Sequence, residues 1–174
     1  MNRTTASPSS GNASQPLALY KRLGFLLRRA HQLSVGIFEE ECRSLSLTPP
    51  QWGVLTIVQS VPGTDQTSLA RALGFDKVTT MRLVRSLEER GLLQRAQSML
   101  DKRQHELALT EAGHRMLTEA ALPVELAHKR LLSPLTETEQ AQLIHLLGKL
   151  GSKLTPGARV IYEPLHLQKA RKRG

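Results

Sequence analysis

The stretch Leu83-Val84-Arg85-Ser86-Leu87-Glu88-Glu89-Arg90-Gly91-Leu92-Leu93 changes its periodicity partway along. Leu83, Val84 and Leu87, with Thr80 just upstream, recur at helical spacing and define one buried stripe. Gly91 ends that helix where a left-handed residue is favoured, and Leu92-Leu93 opens a short apolar strand. Asp76 stands where the N-cap of the same helix belongs. Immediately before it, Asp65 caps a shorter helix reaching Ala72, with Leu69, Ala70 and Leu73 inward, and Gly74 supplies the turn out. Paired short helices joined by a tight glycine turn are a helix-turn-helix. Downstream, Glu106 to Leu109 reads as a second strand; with Leu92-Leu93 it flanks the polar segment Gln94 to His105 and predicts a hairpin, or wing.

The flanks are helical. From Leu19 to Cys42 the residues Leu23, Leu26, Leu27, Ala30, Leu33, Ile37 and Phe38 form a wide apolar stripe. Thr48 caps the next helix, whose Pro49 and Pro50 occupy the first turn and whose Trp52, Leu55, Ile57 and Val58 follow, until Val61-Pro62-Gly63 stops it. Thr110 caps a long helix expected to be interrupted or bent near Pro123, and Thr136 opens a last one with Leu143, Leu146, Leu147 and Leu150 on one face. The fold class is therefore mainly α with a small β-hairpin wing. A winged helix-turn-helix lobe is placed at 48–109, between helical regions 17–47 and 110–151 whose apolar stripes both need a partner. Residues 1–16, rich in Ser, Thr, Asn and Pro, read as a disordered arm, and 152–174 as a basic C-terminal tail.

Composition narrows the chemistry. The 174 residues carry 24 Lys+Arg against 15 Asp+Glu, a formal charge of +9, so polyanions lead the list of partners. Cys42 is the only cysteine, which excludes an internal disulfide framework, and no basic-then-apolar leader is evident, pointing to the cytoplasm. Membrane insertion is not expected, because the best apolar run, Leu143 to Leu150, is short and contains His145 and Lys149. With one Trp, two Tyr and three Phe, the chain is poorly supplied with stacking platforms for single strands or RNA, so duplex DNA remains. There is no glycine-rich phosphate loop, HExxH or CxxC, and His31, His105, His114, His128, His145 and His166 lack ligand spacing. No enzyme, metal site or cofactor is expected.

The 3.6-residue period places Lys77, Val78, Met81, Arg82 and Arg85 on the outer face of the second short helix, with Thr79 at its edge. A major groove admits one helix, Arg and Lys bond guanine edges or phosphates, and Thr or Met meets thymine methyls. The DNA-contact candidates are Lys77, Thr79, Arg82 and Arg85, with Thr80 counted among them although its period assigns it to the buried stripe. In the wing, Asp101 can aim Arg103 into a narrow minor groove, while Arg95 and Lys102 reach phosphates.

These elements together resemble the MarR family of bacterial winged-helix regulators over about residues 18 to 151. The marks are the string from Leu83 to Leu93, then Asp101-Lys102-Arg103, then Leu107-Ala108-Leu109-Thr110-Glu111-Ala112-Gly113. The resemblance implies an obligate homodimer in which Leu19 to Cys42 and Thr110 to Leu150 interlock, acting as a repressor on a near-palindromic operator with successive major grooves about 34 Å apart. It also implies a small aromatic carboxylate or phenol as the effector that releases DNA. Candidate ligand residues are His31, on one stripe with Ser34 and Phe38, the neighbouring Arg28, and Trp52 as an aromatic wall. The phrase from Gly24 to Gln32 is similar to regulators of aromatic-acid catabolism, including nicotinate and hydroxycinnamate breakdown. Two rival readings are a redox sensor acting through Cys42 and a constitutive architectural DNA-binder using the basic tail.

Overall fold

The computed structural model describes residues 17–97, 105–155 and 161–165. Its elements are α1 (Leu23–Glu41), α2 (Pro49–Ser60), α3 (Gln66–Leu73), α4 (Lys77–Glu89), β1 (Leu93–Gln97), β2 (His105–Leu109), α5 (Glu111–Leu132) and α6 (Glu137–Leu154), with short 3₁₀ turns at Ala18–Lys21 and Arg43–Leu45. The chain divides into two units, residues 1–32 and 33–174. The predicted start of the first helix at Leu19 is thus replaced by a 3₁₀ turn, and α1 proper begins at Leu23. Within the first unit Tyr20 and Phe25 meet edge to face at 5.2 Å, and the Arg28 guanidinium lies 4.9 Å from the centre of the Phe25 ring.

In the second unit every predicted N-cap is in place. Thr48 and Thr136 form capping boxes with Gln51 and Glu139, and the side chains of Asp65, Asp76 and Thr110 accept amide hydrogens from the first turns of α3, α4 and α5. The core that these helices share is made of Phe38, Val54, Leu55, Val58, Leu69, Val84 and Leu87, closed by Leu92, Leu93, Leu107 and Leu109 of the hairpin and by Ala120 and Ala127 of α5. The antiparallel hairpin pairs Leu93 with Leu109, Arg95 with Leu107 and Gln97 with His105. β1 therefore runs into the polar stretch assigned to the wing loop: beyond buried Leu93 the side chains of Gln94, Arg95 and Gln97 are exposed while the backbone ladder continues to Gln97. Leu107 N–H also donates to Thr64 O at 2.9 Å, tying β2 to the connection between α2 and α3.

Two of the glycines fix the hairpin against its neighbouring helices. Gly91 adopts φ 68°, the left-handed turn that follows α4. Gly113 packs so closely on the backbone that a Cβ there would collide with the Leu92 carbonyl oxygen. Of the interruption or bend expected near Pro123, the interruption is absent: α5 runs continuously through it. Proline removes one N–H from the helix ladder, but Ala120 and Ala127, buried in the core, and Val124, packed against it, hold the helix on both sides.

The caps carry a pH dependence. Burial alone would raise the Asp65 carboxyl, but hydrogen bonds from the Ser68 hydroxyl and amide and the Thr67 amide outweigh it and hold it below the usual range. The Thr79 amide and hydroxyl do the same to Asp76. A depressed carboxyl contributes stability that is fully present above its unfolded value of about 3.9 and is lost as pH falls through the lower folded value. Asn caps helices without titrating. D65N/D76N is therefore expected to lose less melting temperature than the parent between about pH 5 and pH 3, measured by circular dichroism; parallel curves would contradict this.

Candidate nucleic-acid interface

The Asp76 cap sets the start of α4: its Oδ1 accepts the Thr79 N–H and its Oδ2 the Thr79 hydroxyl, both at 2.8 Å. One face of α4 is buried through Thr80, Val84 and Leu87, and the opposite face exposes Lys77, Val78, Met81, Arg82 and Arg85. Thr80 must be withdrawn as a DNA contact. It is fully buried, and its hydroxyl donates to the Asp76 carbonyl at 2.9 Å, so the period that placed it inward was the correct guide. Arg85 shares its guanidinium with Glu89 at 2.9 Å, whereas Lys77 and Arg82 form no ion pair among the described residues. Uncompensated positive charge is therefore carried by Lys77 and Arg82.

Arg95 on β1 is engaged with α4 instead of standing free, its Nε and Nη2 donating to the two Glu88 carboxylate oxygens at 2.9 and 3.4 Å. This bidentate pair fixes the root of the wing to α4. Asp101, Lys102 and Arg103 lie outside the described residues.

Sequence reasoning missed Arg90. At the end of α4 it donates from Nη2 to Leu45 O at 2.9 Å, from Nη1 to Ser46 O at 2.9 Å, and from Nη1 to Gln51 Oε1 at 3.3 Å. Gln51 in turn donates from Nε2 to Ser86 Oγ at 3.4 Å. The first turn of α2 is thus joined through polar side chains to Ser86 of α4 and to Arg90 at the C-cap of that helix. Only a helix-ending Arg before Gly91 hinted at this, since its partners are 39 to 45 positions away.

That same turn of α2 forms one wall of a cleft of about 590 Å³, together with α1 and α5. Phe38, Pro49, Trp52, Val124 and Leu131 supply apolar surface, and Ser34, Glu125 and His128 supply polar groups. The Phe38 and Trp52 rings lie 6.2 Å apart. Of the ligand candidates, Ser34, Phe38 and Trp52 are brought together here, while Arg28 and His31 lie exposed in the first unit. Glu125 and His128 were missed, although Ala121, Val124, Glu125 and His128 follow a helical stripe that the sequence displays. Glu125 pairs with Lys129 at 3.4 Å, which offsets its charge.

The fold is that of a winged helix with a basic outer face on its second short helix. Residues 45–104 match the model of the MarR family. The chain is 31% identical over 132 residues to a Thauera aromatica protein assigned as a transcriptional regulator of the hcr operon, covering 74% of this chain and 78% of that one. Among solved structures it is similar to the transcriptional repressor CouR bound to a 23-mer DNA duplex, with 30% identity, a TM-score of 0.74 and coverage of 80% and 99%. It is also similar to BpsR of Bordetella bronchiseptica, whose DNA binding is regulated by 6-hydroxynicotinic acid, with 26% identity, a TM-score of 0.73 and coverage of 79% and 98%. The chain belongs to the MarR family of DNA-binding transcriptional regulators. No helix among the described residues is long and apolar enough to cross a membrane.

Proposed function

We propose that this regulator is a homodimeric repressor that reads a near-palindromic operator with α4 and releases it when a small aromatic carboxylate or phenol enters the cleft between α1, α2 and α5. The observation carrying this reading is that one turn of α2 serves both sites. Pro49, Trp52 and Gly53 line the cleft, while Gln51 between them bonds Ser86 of α4 and is bonded by Arg90 at the C-cap of that helix. A ligand that shifts this turn displaces the reading helix, and release requires only that the ligand prefer the displaced arrangement.

The lining suits a flat acid or phenol. Phe38 and Trp52 offer aromatic surface, and Ser34 and His128 offer hydrogen bonds to a carboxylate or hydroxyl. The ligand named for BpsR, a hydroxylated pyridine carboxylate, has this chemistry. Arg28 and His31 are retained as exposed candidates in the first unit. The dimer is supported by apolar surface left uncovered on α6, where Leu143, Ile144, Leu146, Leu147 and Leu150 are each at least 40% exposed. In the wing, Asp101, Lys102 and Arg103 are proposed to reach the minor groove beside the operator half-site.

The redox alternative draws little support from Cys42. Its side chain is fully buried, and burial and the neighbouring Glu41 charge push the thiol up, away from the reactive thiolate.

A panel of aromatic acids and phenols tests the effector reading by thermal shift, followed by operator titration. A ligand at about 100 times its Kd is expected to stabilise the fold by about 2.7 kcal/mol, and hits are expected to release DNA. Trp52→Ala and His128→Ala are expected to lose most of the shift, and R28A and H31A test the first-unit candidates. A panel without hits, or hits that leave DNA bound, would contradict the proposal.

A further inference from the structure

Past α6, residues 161–165 lie against α3 without regular secondary structure of their own. The Glu163 backbone N–H donates to the Arg71 carbonyl oxygen at 3.0 Å, and Glu163 Oε2 lies 3.6 Å from Arg71 Nη1. Tyr162 packs on the α3–α4 turn, where a Cβ on Gly74 would sit 3.5 Å from Tyr162 Cδ2. Pro164 and Leu165 border a hollow with Ile57 of α2 and its C-cap Val61. Backbone, ring and apolar contacts thus hold the segment on the lobe independently of the ion pair.

In a helix-turn-helix the first helix crosses the phosphate backbone while the second enters the major groove. Here the first helix is α3. Arg71 stands on its exposed face one turn after Thr67, and both share a surface hollow with Asp76 and Lys77 at the start of α4 and with Ile161. Arg71 and Lys77 therefore border one surface, and phosphates flanking the groove that α4 enters come within reach of both. Lys77 forms no ion pair among the described residues, whereas Arg71 is held by Glu163. Asp76, the other acid in the hollow, is engaged by the Thr79 amide and hydroxyl at 2.8 Å. A carboxylate and a phosphate are equivalent partners for a guanidinium, so Glu163 occupies the place that a backbone phosphate would take. The two side chains are 52% and 66% exposed; solvent screens the pair, and a phosphate can displace it.

We infer that residues 161–165 form an autoinhibitory strap in which Glu163 stands in for a DNA phosphate, and that Arg71 is a backbone contact released when a duplex displaces the carboxylate. This rests on the reading of DNA by α4, and adds to it a cation on α3 and an acidic competitor from outside the winged helix. Operator binding exchanges a protein carboxylate for a phosphate at Arg71. The strap thereby raises the concentration of operator needed for binding while the outer face of α4 stays exposed.

Glu163→Gln removes the competing charge and keeps the backbone bond to Arg71. In the full chain it is expected to tighten binding to a selected operator duplex about three- to tenfold at about 0.1 M salt, and to steepen the slope of log K against log salt by about 1 per protomer, because one more phosphate is neutralised. In an Arg71→Gln background the same change is expected to alter affinity by less than about twofold, since no cation is left to release. Fluorescence anisotropy on the four proteins of this double-mutant cycle, with circular dichroism to confirm folding, measures both quantities. Unchanged affinity and slope for E163Q, or an equal gain with and without Arg71, would overturn the inference while leaving α4's role intact. Failure of the parent chain to bind any duplex would overturn both.

Discussion

Replacing Arg82 by Glu is expected to weaken duplex binding by at least about 100-fold while leaving the fold intact. A specific Arg contact is worth about 1–3 kcal/mol, charge reversal adds repulsion from phosphates, and a symmetric dimer suffers the change twice. Arg82 is exposed and forms no ion pair among the described residues, so its loss removes nothing from the core. Arg82→Ala is expected to cost more than Arg85→Ala, because Glu89 already offsets the Arg85 charge at 2.9 Å. Fluorescence anisotropy on an operator duplex, with circular dichroism to confirm folding, measures both. Equal affinities for the parent and R82E would remove α4 from the interface.

Gly113→Ala is expected to be the most destabilising single-methyl change in the described chain. Thr110 caps α5 by accepting the Gly113 N–H at 3.1 Å; its hydroxyl donates to Gly91 O at 2.6 Å and its own N–H to Leu92 O at 3.2 Å. The start of α5 is thereby pressed onto the base of the hairpin, and the added Cβ would displace the very carbonyl that Thr110 holds. Overpacking of this kind costs about 1–3 kcal/mol, and a buried amide left unpaired adds a comparable amount. At about 2–4 °C per kcal/mol for a chain of this size, the melting temperature is expected to fall by about 5–15 °C. Gly91→Ala, strained only by its φ of 68°, is expected to cost about 1 kcal/mol. A melting temperature for G113A within about 2 °C of the parent would contradict the packing described.

What could be read from sequence was local chemistry. Thr48, Asp65, Asp76, Thr110 and Thr136 each cap the helix they announce, because a cap and its target amides lie within three residues of one another. The outer face of α4 followed from periodicity alone, and counting Thr80 as a DNA contact failed because it set that periodicity aside. Pro123 does not interrupt α5, because packing from elements distant in sequence overrides the local rule for helix breaking. The cleft was half legible for the same reason. Ser34, Phe38 and Trp52 were recognised on α1 and α2, but Glu125 and His128 join them only once α5 is folded back. Arg90 and Gln51 were invisible as a pair, since nothing near either residue specifies a partner so far along the chain. Residues 161–165 are a similar case: they carry no motif, and only their contacts with Arg71 and Gly74 reveal where they lie.

Arg82, Lys77 and the shared turn of α2 acquire their meaning only if α4 is presented to DNA twice by a symmetric pair. Hydroxyl-radical footprinting on an operator isolated by selection tests this most directly. The account predicts two protected windows related by a two-fold axis and centred about 34 Å apart, both disappearing together as an effector from the acid panel is added. A single window, or uniform protection without a repeat, would contradict it.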